Sequence, residues 1–154
     1  KLIDRLKEHN INITVDTSGY VDFEKINKIA LKVDTFLYDL KIMDNEKHLK
    51  YIGVENKKII SNLKKLSRIH KDIVIRIPLI KEVNSKDKDI LKVIKLMNDL
   101  NLKKVDLLPY HSGGHHKRKK LGMKIYDFEK PNKKRVEEIK NMFESENIIA
   151  RIGG

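Results

Sequence analysis

DIVIRIPL, residues Asp72–Leu79, decides how the chain folds. Five of its eight residues, Ile73, Val74, Ile75, Ile77 and Leu79, are aliphatic and suit a chain buried in a sheet, and Arg76, flanked by Ile75 and Ile77, alternates to the face opposite them. Three other apolar runs end in the same manner: INITVDTSGY (Ile11–Tyr20) carries Asp16, TFLYDLK (Thr35–Lys41) carries Asp39 and Lys41, and KVDLLPYH (Lys104–His111) ends on His111. Each run reads as a short strand, and the segment before each has helical period, so the order is strand and helix in alternation with a parallel sheet. In barrel-like parallel sheets the loops at the carboxyl ends of the strands build the site. Asp16, Asp39, Lys41, Arg76 and His111 are therefore expected at one mouth.

Composition narrows the class. A chain of 154 residues, 40% hydrophobic, suits one domain with a proper core. No stretch approaches the roughly 20 apolar residues that span a bilayer, and the start does not read as a signal peptide. A cytoplasmic protein without a membrane partner is expected. With no cysteine, the sequence holds no disulfide, no thiolate nucleophile and no all-cysteine metal site. The net charge of +12 raises the question of nucleic acid. Lys57, Lys58, Lys64, Lys65, Lys71, Lys92 and Lys95, however, sit among Leu and Ile at helical spacing, the pattern of a solvated helix face, so no nucleic-acid partner is expected.

Along the chain, an amphipathic helix ends near His9 and Asn10, and strands are expected at Ile11–Val15, Thr35–Leu40, Ile73–Leu79 and Val105–Leu108. Helices fall between them: Asp22–Leu31 with Phe23, Ile26 and Ile29 or Ala30 inward, a short one at Glu46–Tyr51, and Lys57–His70 burying Ile59, Ile60, Leu63, Leu66 and Ile69. Ser85 or Asp87 caps a helix reaching Leu100. After a long connection, His111–Lys130, Pro131 precedes a last helix reaching about Glu146, and a terminal strand follows at Ile148–Ile152. Four or five parallel strands cannot close a barrel of eight, and the helix at the start lacks a cap, so the chain is expected to be a fragment.

Each candidate residue has two readings. Asp16 either caps the turn before Gly19 or, with Asp39, faces an amine or a cation. Lys41 either pairs with Asp39 on the surface or joins the site. A buried Arg76 either holds a structural carboxylate or grips an anionic ligand. Only its position at a strand end raises His111 above a structural histidine. His111, His115 and His116 are not read as metal ligands, because no carboxylate accompanies them at helical spacing in so basic a loop. The GGHHKRKK run lacks both interleaved aromatics and a P-loop ending, and is read instead as a docking loop for a protein partner.

Taken in order, DTSGY, FLYDLK, GVEN, IRIPLI with the following VN, and LLPYH followed by LG resemble the later portion of glycyl-radical-enzyme activating enzymes, which are radical S-adenosylmethionine proteins similar to pyruvate formate-lyase activating enzyme. That resemblance implies a partial (β/α) barrel, of which this chain would hold about the last four barrel strands plus a C-terminal helix and strand. The family's CxxxCxxC loop for a [4Fe-4S] cluster and its GGE-type motif are both absent, so the chain holds no catalytic residue of its own and should be inactive alone. For the intact protein the resemblance implies reductive cleavage of S-adenosylmethionine to methionine and a 5′-deoxyadenosyl radical, which takes hydrogen from a backbone glycine of a partner glycyl radical enzyme. The electron would come from a donor such as flavodoxin or ferredoxin.

Matched motif by motif, Asp16 would lie by the methionine amine or a monovalent cation, with Thr17 beside it. Asp39 and Lys41 would lie by the ribose and methionine moiety or that cation, Arg76 by the methionine carboxylate, and His111 by the nucleoside. Two departures are visible. Lys81 and Glu82 stand where relatives often have Pro-Gly, and the loop His115–Lys120 is unusually basic, which suits an acidic surface on the partner. A cysteine-free half-barrel that binds a nucleoside-type ligand or an acidic protein is the alternative.

Overall fold

The structure, a computed structural model, describes residues 2–111, 120, 122 and 128–153. Five strands, β1 Thr14–Thr17, β2 Thr35–Asp39, β3 Ile73–Leu79, β4 Lys104–Pro109 and β5 Ile149–Ile152, form one sheet in the order β1-β2-β3-β4-β5. Every neighbouring pair is parallel. The helices are α1 Leu2–Glu8, α2 Phe23–Ala30, α3 Asn45–Ile52, α4 Lys57–Ile69, α5 Asp87–Asp99 and α6 Lys133–Glu144.

Strictly sequential order separates this sheet from a doubly wound one. Right-handed crossovers that all step in the same direction bring their helices back to one face, as in a barrel. Burial agrees. Phe36, Tyr38, Ile73, Ile75, Ile77, Leu79, Val105, Leu107 and Ala150 are buried in the helix-covered core, whereas their alternating neighbours Leu37, Asp39, Val74, Arg76 and Asp106 are only partly covered. The second set lines the inner face, which is less covered than the helix side. The sheet is thus part of a barrel wall, as the alternation predicts.

The helices form where apolar residues recur at helical spacing. α4 buries Ile59, Leu63 and Leu66 and packs on α2 through Ile26 and Ala30; the lysines between them are exposed, a solvated face as expected. Three expectations are corrected. β1 begins at Thr14 rather than Ile11, because Ile13 is held before the ladder starts, its N–H donating to Asp34 Oδ2 (2.7 Å) and its carbonyl accepting from Asp34 N–H (2.9 Å). Asp16 therefore lies inside β1. Ile69 is 39% exposed, and Asn62 takes the buried place on α4. Neither Ser85 nor Asp87 caps α5: Lys86 holds the cap position without a side-chain bond, and the Ser85 hydroxyl donates to Lys81 O (2.8 Å).

Among the described residues no helix is long and apolar enough to cross a membrane. His115, His116, Lys117, Arg118 and Lys119 of the basic loop lie outside the described residues.

Candidate functional site

The register that builds the sheet also gathers the site. Asp39 pairs with Arg76 across β2 and β3, and Asp16 lies one strand further, opposite Leu37. All three point to the inner face. Arg76 Nη1 donates to Asp16 Oδ2, its Nε stands 3.9 Å from Asp39 Oδ1, and Lys41 Nζ stands 3.7 Å from Asp39 Oδ2. Four of the five residues expected at the mouth therefore form one charged network. His111 is exposed two residues beyond the end of β4.

The network is asymmetric. Asp16 is 59% exposed, whereas Asp39 is 23% exposed, and burial pushes the Asp39 carboxyl above the usual carboxylate range. Lys41 and Arg76 pull it back only in part, and the Asp16 charge adds to the rise. Arg76 Nε is buried with no hydrogen-bond partner, although a guanidinium carries five N–H donors and is costly to leave unpaired. The arginine is thus under-satisfied for acceptors, with only Asp39 Oδ1 near its Nε, at 3.9 Å.

Buried side chains that the sequence does not flag hold these residues in place. Gly19 has φ +68°, and a Cβ there would overlap the Tyr38 ring, 1.8 Å from the hydroxyl oxygen. Only glycine permits this close approach of the DTSGY turn to β2. Tyr38, whose phenol burial keeps neutral, donates to Ile59 O (2.7 Å). Asn62 Nδ2 donates to Gly19 O (2.8 Å) and Val21 O (2.7 Å), so α4 grips the turn after Asp16. Thr17 Oγ1 accepts from Gly19 N–H (3.0 Å) and faces the helices, opposite to Asp16.

The segment after Asp39 is fixed in the same way. Asn56, the last residue of GVEN, donates to Ile42 O (3.0 Å) and Met43 O (2.8 Å). Asn84, the second residue of VN, donates to Lys41 O (2.7 Å) and Pro78 O (2.7 Å) and accepts from Ile80 N–H (2.8 Å). The only sequence signals for these residues are the short motifs themselves. Among the described residues no group of three or more His, Asp or Glu could hold a metal ion.

Comparison with known proteins gives this geometry its context. No protein-family profile matches the chain. The trans-4-hydroxy-L-proline dehydratase activating enzyme of Clostridioides difficile is 40% identical over 157 residues, covering 99% of this chain and 52% of that enzyme. The pyruvate formate-lyase-activating enzyme of Staphylococcus aureus is 32% identical over 148 residues, covering 88% of this chain and 58% of that enzyme. The chain is a relative of glycyl-radical-enzyme activating enzymes. It spans about half the length of the curated activating enzymes it matches. A solved domain of pyruvate-formate lyase-activating enzyme from Bacteroides vulgatus superposes with a TM-score of 0.84 over 99% of this chain and 88% of that one. At 24% identity that likeness shows the fold, and it is the activating-enzyme fold that the strand order describes.

Proposed function

We infer that this chain forms the portion of a radical S-adenosylmethionine activating enzyme that seats the methionine end of the cofactor. The observation behind this is Arg76, placed on the inner face between Asp16 and Asp39 with a buried, unpartnered Nε. A carboxylate ligand completes the guanidinium, and an amine beside it is received by Asp16 and Asp39, so the network fits an α-amino acid group in one orientation. Lys41 then faces the ribose side, and His111 the nucleoside. A monovalent cation at Asp16, Thr17 and Asp39 competes with the amine for the same oxygens and has less support here, because Thr17 faces away from the two carboxylates.

When bound by the whole protein, S-adenosylmethionine supplies a 5′-deoxyadenosyl radical for hydrogen abstraction from a partner glycyl radical enzyme. Flavodoxin or ferredoxin is the expected electron donor, and the cytoplasm the expected compartment. The required [4Fe-4S] cluster does not fit the residues of this chain, which has no cysteine, so its residues bind and orient while the electron transfer lies elsewhere. Alone, the chain is expected to bind the cofactor without cleaving it.

Calorimetric titration of the chain with S-adenosylmethionine tests this. Binding weaker than micromolar is expected, reduced about tenfold or more by Arg76→Ala and by Asp16→Ala, because each removes a charge-assisted hydrogen bond. Submicromolar binding that survives both substitutions would reject the site and favour an independent nucleoside-binding half-barrel.

A further inference from the structure

The connection between β4 and α6 stands on two feet, and the feet touch. One is Tyr110–His111, just past the end of β4; the other is Phe128–Glu129, ahead of Pro131 and α6. The Phe128 ring lies edge-on to Tyr110 with centroids 5.8 Å apart and edge-on to Tyr51 of α3 at 5.5 Å, so it is wedged between α3 and the residue that precedes His111. Glu129 is fastened to the turn after β3: its carbonyl accepts from the Lys81 N–H (3.0 Å), and its carboxylate pairs with Lys81 Nζ. The β3–β4 ladder ends at Leu79 and Pro109, and Tyr110 adds one bond beyond it, N–H to Leu79 O (3.0 Å). The ladder therefore sets no register for His111, and the second foot bears on the residue beside it.

We propose that Phe128 and Glu129, anchored on the Lys81 N–H, are positioning residues: they form a clasp that fixes His111, through Tyr110, toward the nucleoside end of the ligand. The contacts differ in weight. The Lys81 and Glu129 side chains are 58% and 67% exposed, so their ion pair contributes little. The backbone bond and the edge-to-face rings are the firm parts, since such ring pairs add to what buried area alone gives. The charged network holds the opposite end of the ligand from β1, β2 and the segment that follows β2, with Arg76 on β3. A fault in the clasp therefore alters the end held from β4 and leaves the Arg76 end intact. That the ligand end is a nucleoside rests on the function proposed above; the clasp itself rests on the contacts of Phe128 and Glu129.

The test is a chemical-shift titration of the ¹³C- and ¹⁵N-labelled chain with S-adenosylmethionine, adenosine and methionine, in the parent and in Lys81→Pro, Phe128→Ala and Lys81→Ala. The first substitution removes the N–H, the second the ring, and the third only the exposed ion pair. Lys81→Pro and Phe128→Ala are each expected to move the His111 ring signals of the free chain and to weaken S-adenosylmethionine and adenosine about fivefold, with methionine bound as in the parent. Lys81→Ala should stay within about twofold of the parent. Should Lys81→Pro not fold, Phe128→Ala carries the same comparison. His111 signals that stay in place would overturn the clasp, as would unaltered adenosine binding. So would methionine weakened as much as S-adenosylmethionine, since that marks a general loosening of the fold. A parent chain that binds none of the three ligands removes the cofactor reading, and the His111 signals then decide the clasp alone.

Discussion

Asp39 and Asn62 show how single residues set the candidate site. Asp39 has a raised carboxyl pKa because burial outweighs its two cationic neighbours. The folded state therefore binds this proton more tightly than the unfolded state does, and the cost of burying its charge is relieved as pH falls through the folded pKa. A carbon-detected titration of Asp39 Cγ should give a midpoint above that of an ordinary aspartate. Adding S-adenosylmethionine should move that midpoint down, because an amine beside the carboxylate favours its charged form; an unchanged midpoint would argue against contact. Asn62 is legible in the sequence only as a polar residue on the core side of a helix. Its removal in Asn62→Ala leaves Gly19 O and Val21 O without their donor, at a cost of about 2 kcal/mol. Urea unfolding should show that loss, and Gly19→Ala should cost at least as much through both its φ of +68° and the overlap with Tyr38. A loss under about 0.5 kcal/mol in both would mean that the DTSGY turn is not gripped from α4.

At the scale of elements, apolar periodicity suffices to place strands and helices, since burial on one face is what the pattern records. DIVIRIPL forms β3 over Ile73–Leu79 as expected, and the lysine-rich segment forms α4 with the lysines outward. Periodicity fails where a tertiary hydrogen bond decides a boundary, as at Ile13, whose partner Asp34 lies twenty-one residues away. It is also silent on Asn56 and Asn84, because an asparagine that ties one loop to another looks in the sequence like any turn residue. Asp106 and Arg151 escape for a different reason. Strand ends are what an apolar run marks, whereas these two lie within β4 and β5 and are placed in one row with Arg76 only by the register. The loop after β2 gives the element-scale prediction. Asn84 joins the ends of β2 and β3, so Asn84→Ala should loosen both Lys41 and the Ile80 turn. Amide exchange should accelerate at Ile80, where the N–H loses its acceptor, while exchange in the α2 and α4 core stays slow. Unaltered exchange at Ile80 would mean that the loop is held by other contacts.

For the whole molecule, charge decides the response to acid and salt. Asp22, Asp34, Asp44, Asp72, Glu55 and Glu129 are all held below the usual carboxylate range, chiefly by hydrogen bonds from lysines, backbone amides or an asparagine. Groups with depressed folded pKa values contribute stability that is present above the unfolded pKa and is lost as pH falls through the folded one. Asp4 is lowered as well, by Lys32, and Asp39, which acts in the opposite sense, is one residue against these seven. Thermal stability should therefore decline from pH 6 toward pH 3. Protonation of carboxylates also raises the net charge beyond its neutral-pH value of +12, adding self-repulsion to the lost pairs. Salt separates the two effects. Screening weakens exposed ion pairs and long-range repulsion alike, over a Debye length of about 10 Å at 0.1 M. With exposed pairs each contributing little and so large an excess of one sign, repulsion should prevail. Raising sodium chloride from about 50 to 300 mM should then raise the thermal midpoint at pH 7 and raise it further at pH 4, where the pairs are already weakened. A midpoint that falls with salt at pH 7 would show instead that the surface pairs, such as Lys7–Asp34 and Lys104–Asp72, outweigh the net charge in holding the half-barrel together.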